Sequence, residues 1–204
     1  MRTLVITGGI ATGKTTFGRL LMEKVGSVGV LFDCDRAVHE LLTRPAIVGK
    51  VAASLGDGVL APDGSLDRSR TSAVVFADSG KRRALEAILH PLVREACHEA
   101  GHRAADTGIS YFFTDVPLYF ETDFPLESDL VVLVACGPDV QRQRLLARTG
   151  AADAHRVERR LAAQIPILEK IPRAGAVIWN GGSLQSLAQQ TDYFLSWLTQ
   201  KLPP

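Results

Sequence analysis

An α/β fold on a mainly parallel five-stranded sheet is predicted by three features of this chain. The first is a β-rich run, Thr3-Leu4-Val5-Ile6-Thr7, which stops at a glycine-rich loop and gives way to helical spacing at Phe17, Leu20, Leu21 and Val25. The second is a set of short apolar runs that do not alternate with polar residues: 28–32, 109–114, 129–135 and 176–179. Such runs mark strands covered on both faces, as in parallel sheets. The third is the helical pattern of the stretches between them, the mark of strand–helix–strand crossovers.

The loop after the first strand reads Gly8-Gly9-Ile10-Ala11-Thr12-Gly13-Lys14-Thr15-Thr16. Gly8, Gly13, Lys14 and Thr15 occupy the fixed positions of G-x-x-x-x-G-K-[ST], which a random chain of this length would match in roughly 1% of cases or fewer. A loop that wraps polyphosphate must turn successive backbone N–H groups inward, and glycines permit the turn. Lys14 supplies a mobile positive charge for the β- and γ-phosphates, and the Thr15 hydroxyl can ligate Mg²⁺. The following helix adds the attraction of its amino end for phosphate. A P-loop NTPase fold binding a nucleoside triphosphate is therefore expected, against the alternative of a merely structural turn.

Bulk properties bound the partners. The 204 residues suit one α/β domain with insertions, and 46% hydrophobic residues suffice for a core. A net charge of +1 gives no reason to expect nucleic acid or an anionic membrane as partner. Cys34, Cys97 and Cys136 are odd in number and lack C-x-x-C spacing, so a reducing cytoplasm is expected rather than a disulfide framework or zinc site. No signal-like segment is expected at the amino terminus, and the most apolar run, 130–136, is too short to span a bilayer.

The second strand ends in Asp33-Cys34-Asp35, with a helix expected from Arg36. Carboxylates at the carboxyl end of a parallel strand lie where open α/β sheets bind ligands. Asp35 is equally explained as the N-cap of that helix. Residues 44–101 read as mostly helical, broken by turns at Gly56-Asp57-Gly58 and Pro62-Asp63-Gly64, with a helix start near Asp67. His90 precedes Pro91, so a helix break is expected there, and a structural role for His90 competes with a substrate contact. Asp115, directly after the third strand, resembles a Walker B carboxylate for Mg²⁺, though it could simply cap a turn. A helix from Asp139 carries Gln141, Arg144 and Arg148. The charged stretch 149–172 with Arg156, Arg159, Arg160, Gln164, Glu169 and Lys170 reads either as a solvated face or as a lid whose arginines neutralise charge on a transferring phosphoryl group. Asn180-Gly181-Gly182 leads into a final amphipathic helix from Ser183.

In this order the stretches TGGIATGKTT, FDCDRAVHEL, LHPLV, DVPLYFE, the Gln141–Arg148 helix, RLAAQIP and WNGGS resemble the dephospho-CoA kinase family over nearly the whole chain. Departures are Gly175 and Trp179, where acidic residues are usual, and the Ile171-Pro172 breaker. The resemblance implies ATP-dependent phosphorylation of the ribose 3′-hydroxyl of dephospho-CoA, the last step of coenzyme A synthesis, with ATP and Mg²⁺ as cofactors. It implies one kinase domain with a core of 1–43, 105–148 and 174–204, a helical acceptor lobe of 44–104 and a helical lid of 149–173. Gly9, Ile10, Ala11, Thr12, Gly13, Lys14, Thr15, Thr16, Arg148, Arg160 and Asn180 would bind nucleotide, and Thr15 and Asp115 the metal. Asp33, His90, Pro117 and Leu118 would meet the acceptor. Lys14 and Arg144 would act on the phosphates, and Asp35 or Asp33, with Asp35 preferred, would take the proton of the attacking hydroxyl. A monomer or small homo-oligomer is expected. Rival readings are another small P-loop kinase, a slow nucleotide-hydrolysing switch, against which the absence of an Asn-Lys-x-Asp guanine-reading stretch and the arginine-rich lid both count, and a scaffold with a vestigial loop.

Overall fold

The structure is a computed structural model and describes residues 1–122, 126–149 and 154–204. The part of the expected lid at 150–153 lies outside the described residues. The chain divides into two compact units, Met1–Asp33 with Gly101–Pro204, and Cys34–Ala100.

The first unit holds a five-stranded sheet in the order β2-β3-β1-β4-β5. The strands are β1 (Arg2–Gly8), β2 (Gly29–Asp33), β3 (Tyr111–Asp115), β4 (Leu130–Ala135) and β5 (Ala176–Trp179). Every pairing is parallel. Its helices are α1 (Lys14–Val25), α6 (Pro138–Thr149), α7 (Ala154–Ala162), α8 (Ile167–Lys170) and α9 (Leu184–Lys201), together with the end of α5 (Ser79–Asp106), which begins in the second unit.

Side-chain alternation along the central strands explains their unbroken apolar sequence. Leu4 and Ile6 of β1 and Val132 and Val134 of β4 pack with Phe17 and Leu21 of α1 and Leu187, Phe194 and Leu198 of α9. The intervening Leu133 and Ala135 face the other way, onto Ile167. Both faces are therefore covered, which is what a parallel sheet requires. On α9 the stripe Leu187, Thr191, Phe194, Leu198 is buried at helical spacing, and the Ser183 hydroxyl caps the amino end by accepting from the Ser186 N–H at 3.1 Å. β5 is one edge of the sheet, and its exposed Trp179 is clamped by Gln190, whose amide accepts from the Trp179 N–H (3.0 Å) and donates to its carbonyl (2.9 Å).

The second unit is helical: α2 (Cys34–Leu41), α3 (Pro45–Leu55), α4 (Arg68–Ala77) and most of α5. Asp67 caps α4 through the Arg70 N–H at 3.0 Å. Between α3 and α4 the Pro62-Asp63-Gly64 turn closes on a single antiparallel bridge, Leu60 to Leu66, with Gly64 at φ 81°. The cavity inside this unit has a volume of about 990 Å³ and is walled by Leu42, Val48, Leu60, Leu66 and Val75, with Arg68 at its lining.

Two local expectations are corrected here. The helix after β2 starts at Cys34, not Arg36, so Asp35 stands in its first turn rather than at the N-cap. An acidic side chain is favoured there as well, by the helix dipole. His90 does not mark a break: α5 runs through Pro91. Pro91 removes one backbone donor, but the buried stripe Leu89, Val93, Cys97 and Ala104 rewards helical continuation on both sides of it. Among the described residues, no helix is long and apolar enough to cross a membrane.

Candidate active site

The strand order switches direction at β1, since β2 and β3 lie to one side and β4 and β5 to the other. Ligands of open α/β sheets bind in the crevice at such a switch, beyond the carboxyl ends of the strands. The glycine-rich loop leaves β1 there. Asp33 and Asp115 end β2 and β3 in direct register, so two carboxylates stand side by side along the same edge.

Loop geometry departs instructively from the motif. Left-handed backbone falls on Ala11 (φ 59°) and Gly13 (φ 92°), not on Gly8 or Gly9. Gly8 and Gly9 are needed for room. A Cβ on Gly8 would lie 2.7 Å from both the Thr12 hydroxyl and the Val134 carbonyl, and one on Gly9 would lie 2.6 Å from the Gln141 amide nitrogen. A non-glycine residue at positive φ is held only when its surroundings over-determine it. Here Ala11 is buried with Leu145 of α6 and Val157 of α7, beside Ile10 and Leu161.

α1 begins with Gly13 at its N-cap and no side-chain cap. Its first intrahelical bond runs from the Phe17 N–H to the Gly13 carbonyl at 3.0 Å, so the amides of Lys14, Thr15 and Thr16 precede the ladder. They form an amino-terminal donor cluster of the kind that holds phosphate. The Lys14 ammonium pairs with the Asp115 carboxylate, both side chains only 13% exposed, and Thr15 is exposed in the same turn.

Arg144 on α6 donates to the Thr12 carbonyl at 3.4 Å, and the Asn180 amide donates to that oxygen at 2.8 Å. Asn180 is buried and its Nδ2 is committed to the loop backbone. Burial pushes the thiol of Cys136, between β4 and α6, upward, against the opposing pull of Arg144 beside it. Arg148 is exposed in the last turn of α6, and Arg160 is half-buried on α7. α7 is joined to α6 by a two-pronged ion pair, Arg142 Nε to Glu158 Oε1 at 2.6 Å and Nη2 to Oε2 at 3.2 Å. The Pro117 carbonyl accepts from the Thr7 hydroxyl at 3.5 Å, while the Leu118 side chain is exposed. Asp35 and His90 belong to the second unit, Asp35 exposed on α2 and His90 half-buried on α5.

Sequence reasoning gave no role to the residues that brace the loop. The Ile10 N–H donates to Gln164 Oε1, and Gln141 Nε2 donates to the Ile10 carbonyl, each at 2.8 Å. Nor did it pair Glu121 with Lys170, 2.5 Å apart. The available signal was a polar residue bordering or interrupting an apolar stretch, Glu121 at the end of DVPLYFE and Gln164 within RLAAQIP.

A family model described as dephospho-CoA kinase matches residues 2–186. The chain belongs to the dephospho-CoA kinase family. A dephospho-CoA kinase of Anaeromyxobacter dehalogenans is 44% identical over 196 residues, covering 96% of this chain and 92% of that one. The solved structure of TT1252 from Thermus thermophilus superposes with a TM-score of 0.80 at 30% identity, covering 97% of this chain and 98% of the other. The dephospho-CoA kinase of Campylobacter jejuni, at 20% identity and a TM-score of 0.68 over 97% of each chain, shares the fold. The family's members thus match this chain across the sheet, the loop and the helical unit together.

Proposed function

We propose that this protein transfers the γ-phosphoryl group of ATP to the ribose 3′-hydroxyl of dephospho-CoA, giving coenzyme A. The observation that carries the reading is the family match over residues 2–186, on a sheet whose carboxyl edge gathers Lys14, Asp115 and Asp33. In phosphoryl transfer the protein supplies alignment and charge compensation rather than covalent chemistry. The Gly9–Thr16 backbone and the Lys14 ammonium would grip the phosphates, with Arg144 positioned over the loop at Thr12. Arg148 and Arg160, on α6 and α7, would add positive charge on closure of the lid, and Asn180 would serve nucleotide binding by holding the loop carbonyl.

Thr15 and Asp115 fit Mg²⁺, because both are hard oxygen donors and this ion keeps waters and substrate phosphate oxygens in its shell. Bound there, Mg²⁺ supplies neutralisation of phosphate charge.

Asp35 is our choice for the proton acceptor, with Asp33 the alternative. Pro117, Leu118, Asp33 and His90 are proposed to meet the acceptor. The helical unit, with its cavity of about 990 Å³ walled by Leu42, Val48 and Leu60, suits the long pantetheine arm of that acceptor. The three cysteines are buried and form no disulfide among the described residues, which suits a cytoplasmic setting. All these residues come from one chain, so a monomer or a small homo-oligomer would serve.

A coupled ADP-release assay comparing dephospho-CoA with AMP, CMP, shikimate and gluconate tests the reading. Dephospho-CoA should be preferred by orders of magnitude in kcat/KM. Preference for any of the others sinks it.

A further inference from the structure

Lys170 is fully buried, and the carboxylate of Glu121, 12% exposed, pairs with it at 2.5 Å. Buried ion pairs are poor stabilising devices, since apolar side chains of similar volume often do as well or better. A pair kept in such a place invites a positional explanation, and the hydrogen bonds around it supply one. Glu121 Oε1 also accepts the backbone N–H of Ile165 at 3.2 Å. The preceding residue, Gln164, accepts the Ile10 N–H at 2.8 Å. Ile10 adjoins Ala11, the non-glycine residue held at φ 59°. Ile167, two residues beyond Ile165, packs beside Gly9, where its Cδ1 would meet an added Cβ at 3.2 Å. The segment 164–167 is thus one wall of the phosphate loop, and the ion pair fastens that wall to the end of the DVPLYFE stretch that begins at Asp115.

We propose that Glu121 and Lys170 are positioning residues for phosphoryl transfer: through Gln164 they fix the Ile10 peptide, and with it the strained turn that aims the loop's amides. The inference rests on the kinase reading given above. Displacing reacting groups by about 1 Å can cost about 100-fold in rate, so a slackened wall acts on turnover rather than on acceptor affinity.

The test uses full-length protein, ATP and dephospho-CoA, with kcat, acceptor KM and Tm measured together. The paired variant Glu121→Leu/Lys170→Met removes both buried charges and the Ile165 acceptor. Its Tm should stay within a few degrees of the parent, while kcat falls about tenfold or more and acceptor KM stays within about threefold. Adding Gln164→Ala to that background should take away less than about threefold more, because the two changes break one connection. A smaller loss of kcat in the folded pair variant, or a larger further loss on adding Gln164→Ala, overturns the proposal. Should the pair variant not fold, Glu121→Asp keeps the charge but withdraws the carboxylate from Ile165. A loss of about tenfold at parental Tm supports the proposal there, and anything smaller overturns it. A parent that leaves dephospho-CoA unphosphorylated fails the kinase reading itself, whereas failure of this inference shows only in the variants.

Discussion

Gly13→Ala is the sharpest perturbation the loop allows, because two separate penalties can be worked out and then pulled apart. Gly13 sits at φ 92°, and an L-residue forced into left-handed backbone costs about 1–2 kcal/mol. Independently, a Cβ there would overlap the Asn180 side-chain nitrogen. Relieving the overlap displaces an amide that donates to the Thr12 carbonyl at 2.8 Å. A buried polar group left without its partner costs about 1–3 kcal/mol. The sum is about 2–5 kcal/mol, or a urea midpoint lowered by about 1–2.5 M for an m-value of about 2 kcal/mol/M.

The cycle with Asn180→Ala separates the two. With the amide gone, the overlap vanishes and Gly13→Ala should cost only its backbone share of about 1–2 kcal/mol. The coupling between the sites should therefore be about 1–3 kcal/mol, with the double variant more stable than the sum of single losses predicts. Equilibrium urea unfolding without nucleotide reads this free of any effect on ligand binding. Strict additivity would refute the claim that Asn180 fills the space a Cβ at position 13 needs.

Asp35→Asn should lower kcat far more than ATP affinity, measured by steady-state kinetics beside isothermal titration; near-parental turnover would move the proton-accepting role to Asp33. Leu198→Ala, at a fully buried site between α9 and the sheet, should lose about 2–5 kcal/mol in urea unfolding, and a loss under about 1 would mean α9 does not pack as described. Pro91→Ala replaces an exposed proline inside α5 and should gain about 2–2.6 kcal/mol after the lost rigidity of the unfolded chain is counted, raising Tm by about 4–10 °C; a lower Tm would show that the helix needs its proline. Arg142 holds the Glu158 carboxyl below its usual range, so the pair's stabilisation is present above the unfolded value of about 4.3 and is lost as pH falls through the folded one. Carboxyl NMR should show the Glu158 midpoint rising in Arg142→Gln, and an unmoved midpoint would refute the pairing.

What the sequence made legible follows from physical range. β1, the loop and α1 are set by neighbours within a few residues, so strand propensity, glycine spacing and helical periodicity suffice to find them. The covered sheet was legible too, because burial on two faces leaves its mark in unbroken apolar runs such as 130–135. The helix start at Cys34 was missed by two residues, since Asp33 and Asp35 are both acceptable at a helix amino end. α5 was misread at Pro91 because a local rule about proline was weighed without the buried stripe that overrides it. The loop braces were illegible for a different reason. Gln141 and Gln164 lie 131 and 154 residues from Ile10, and nothing local in either segment says which backbone group it must meet.

Those braces answer a problem that the phosphate loop creates for itself. Most of its amides must be kept for an anion, so the Thr12 N–H reaches back to the Gly9 carbonyl at 3.3 Å but the loop cannot satisfy its carbonyls in the way an ordinary helix or sheet would. Buried carbonyls left without donors are costly, and the loop recruits them from outside. The Gly9 carbonyl takes the Thr12 hydroxyl at 2.9 Å, Ile10 takes Gln141, Thr12 takes Asn180 and Arg144, and Gly13 takes the first bond of α1. Gln141 and Arg144 come from α6, Asn180 from the end of β5, Phe17 from α1 and Thr12 from the loop itself, so three of the five lie after β4, on the far side of the switch point. The conformation of the loop is therefore set by how β4, α6 and β5 are assembled as much as by its glycines. A chain carrying the motif without those donors would have the glycines to turn and nothing to hold the turn.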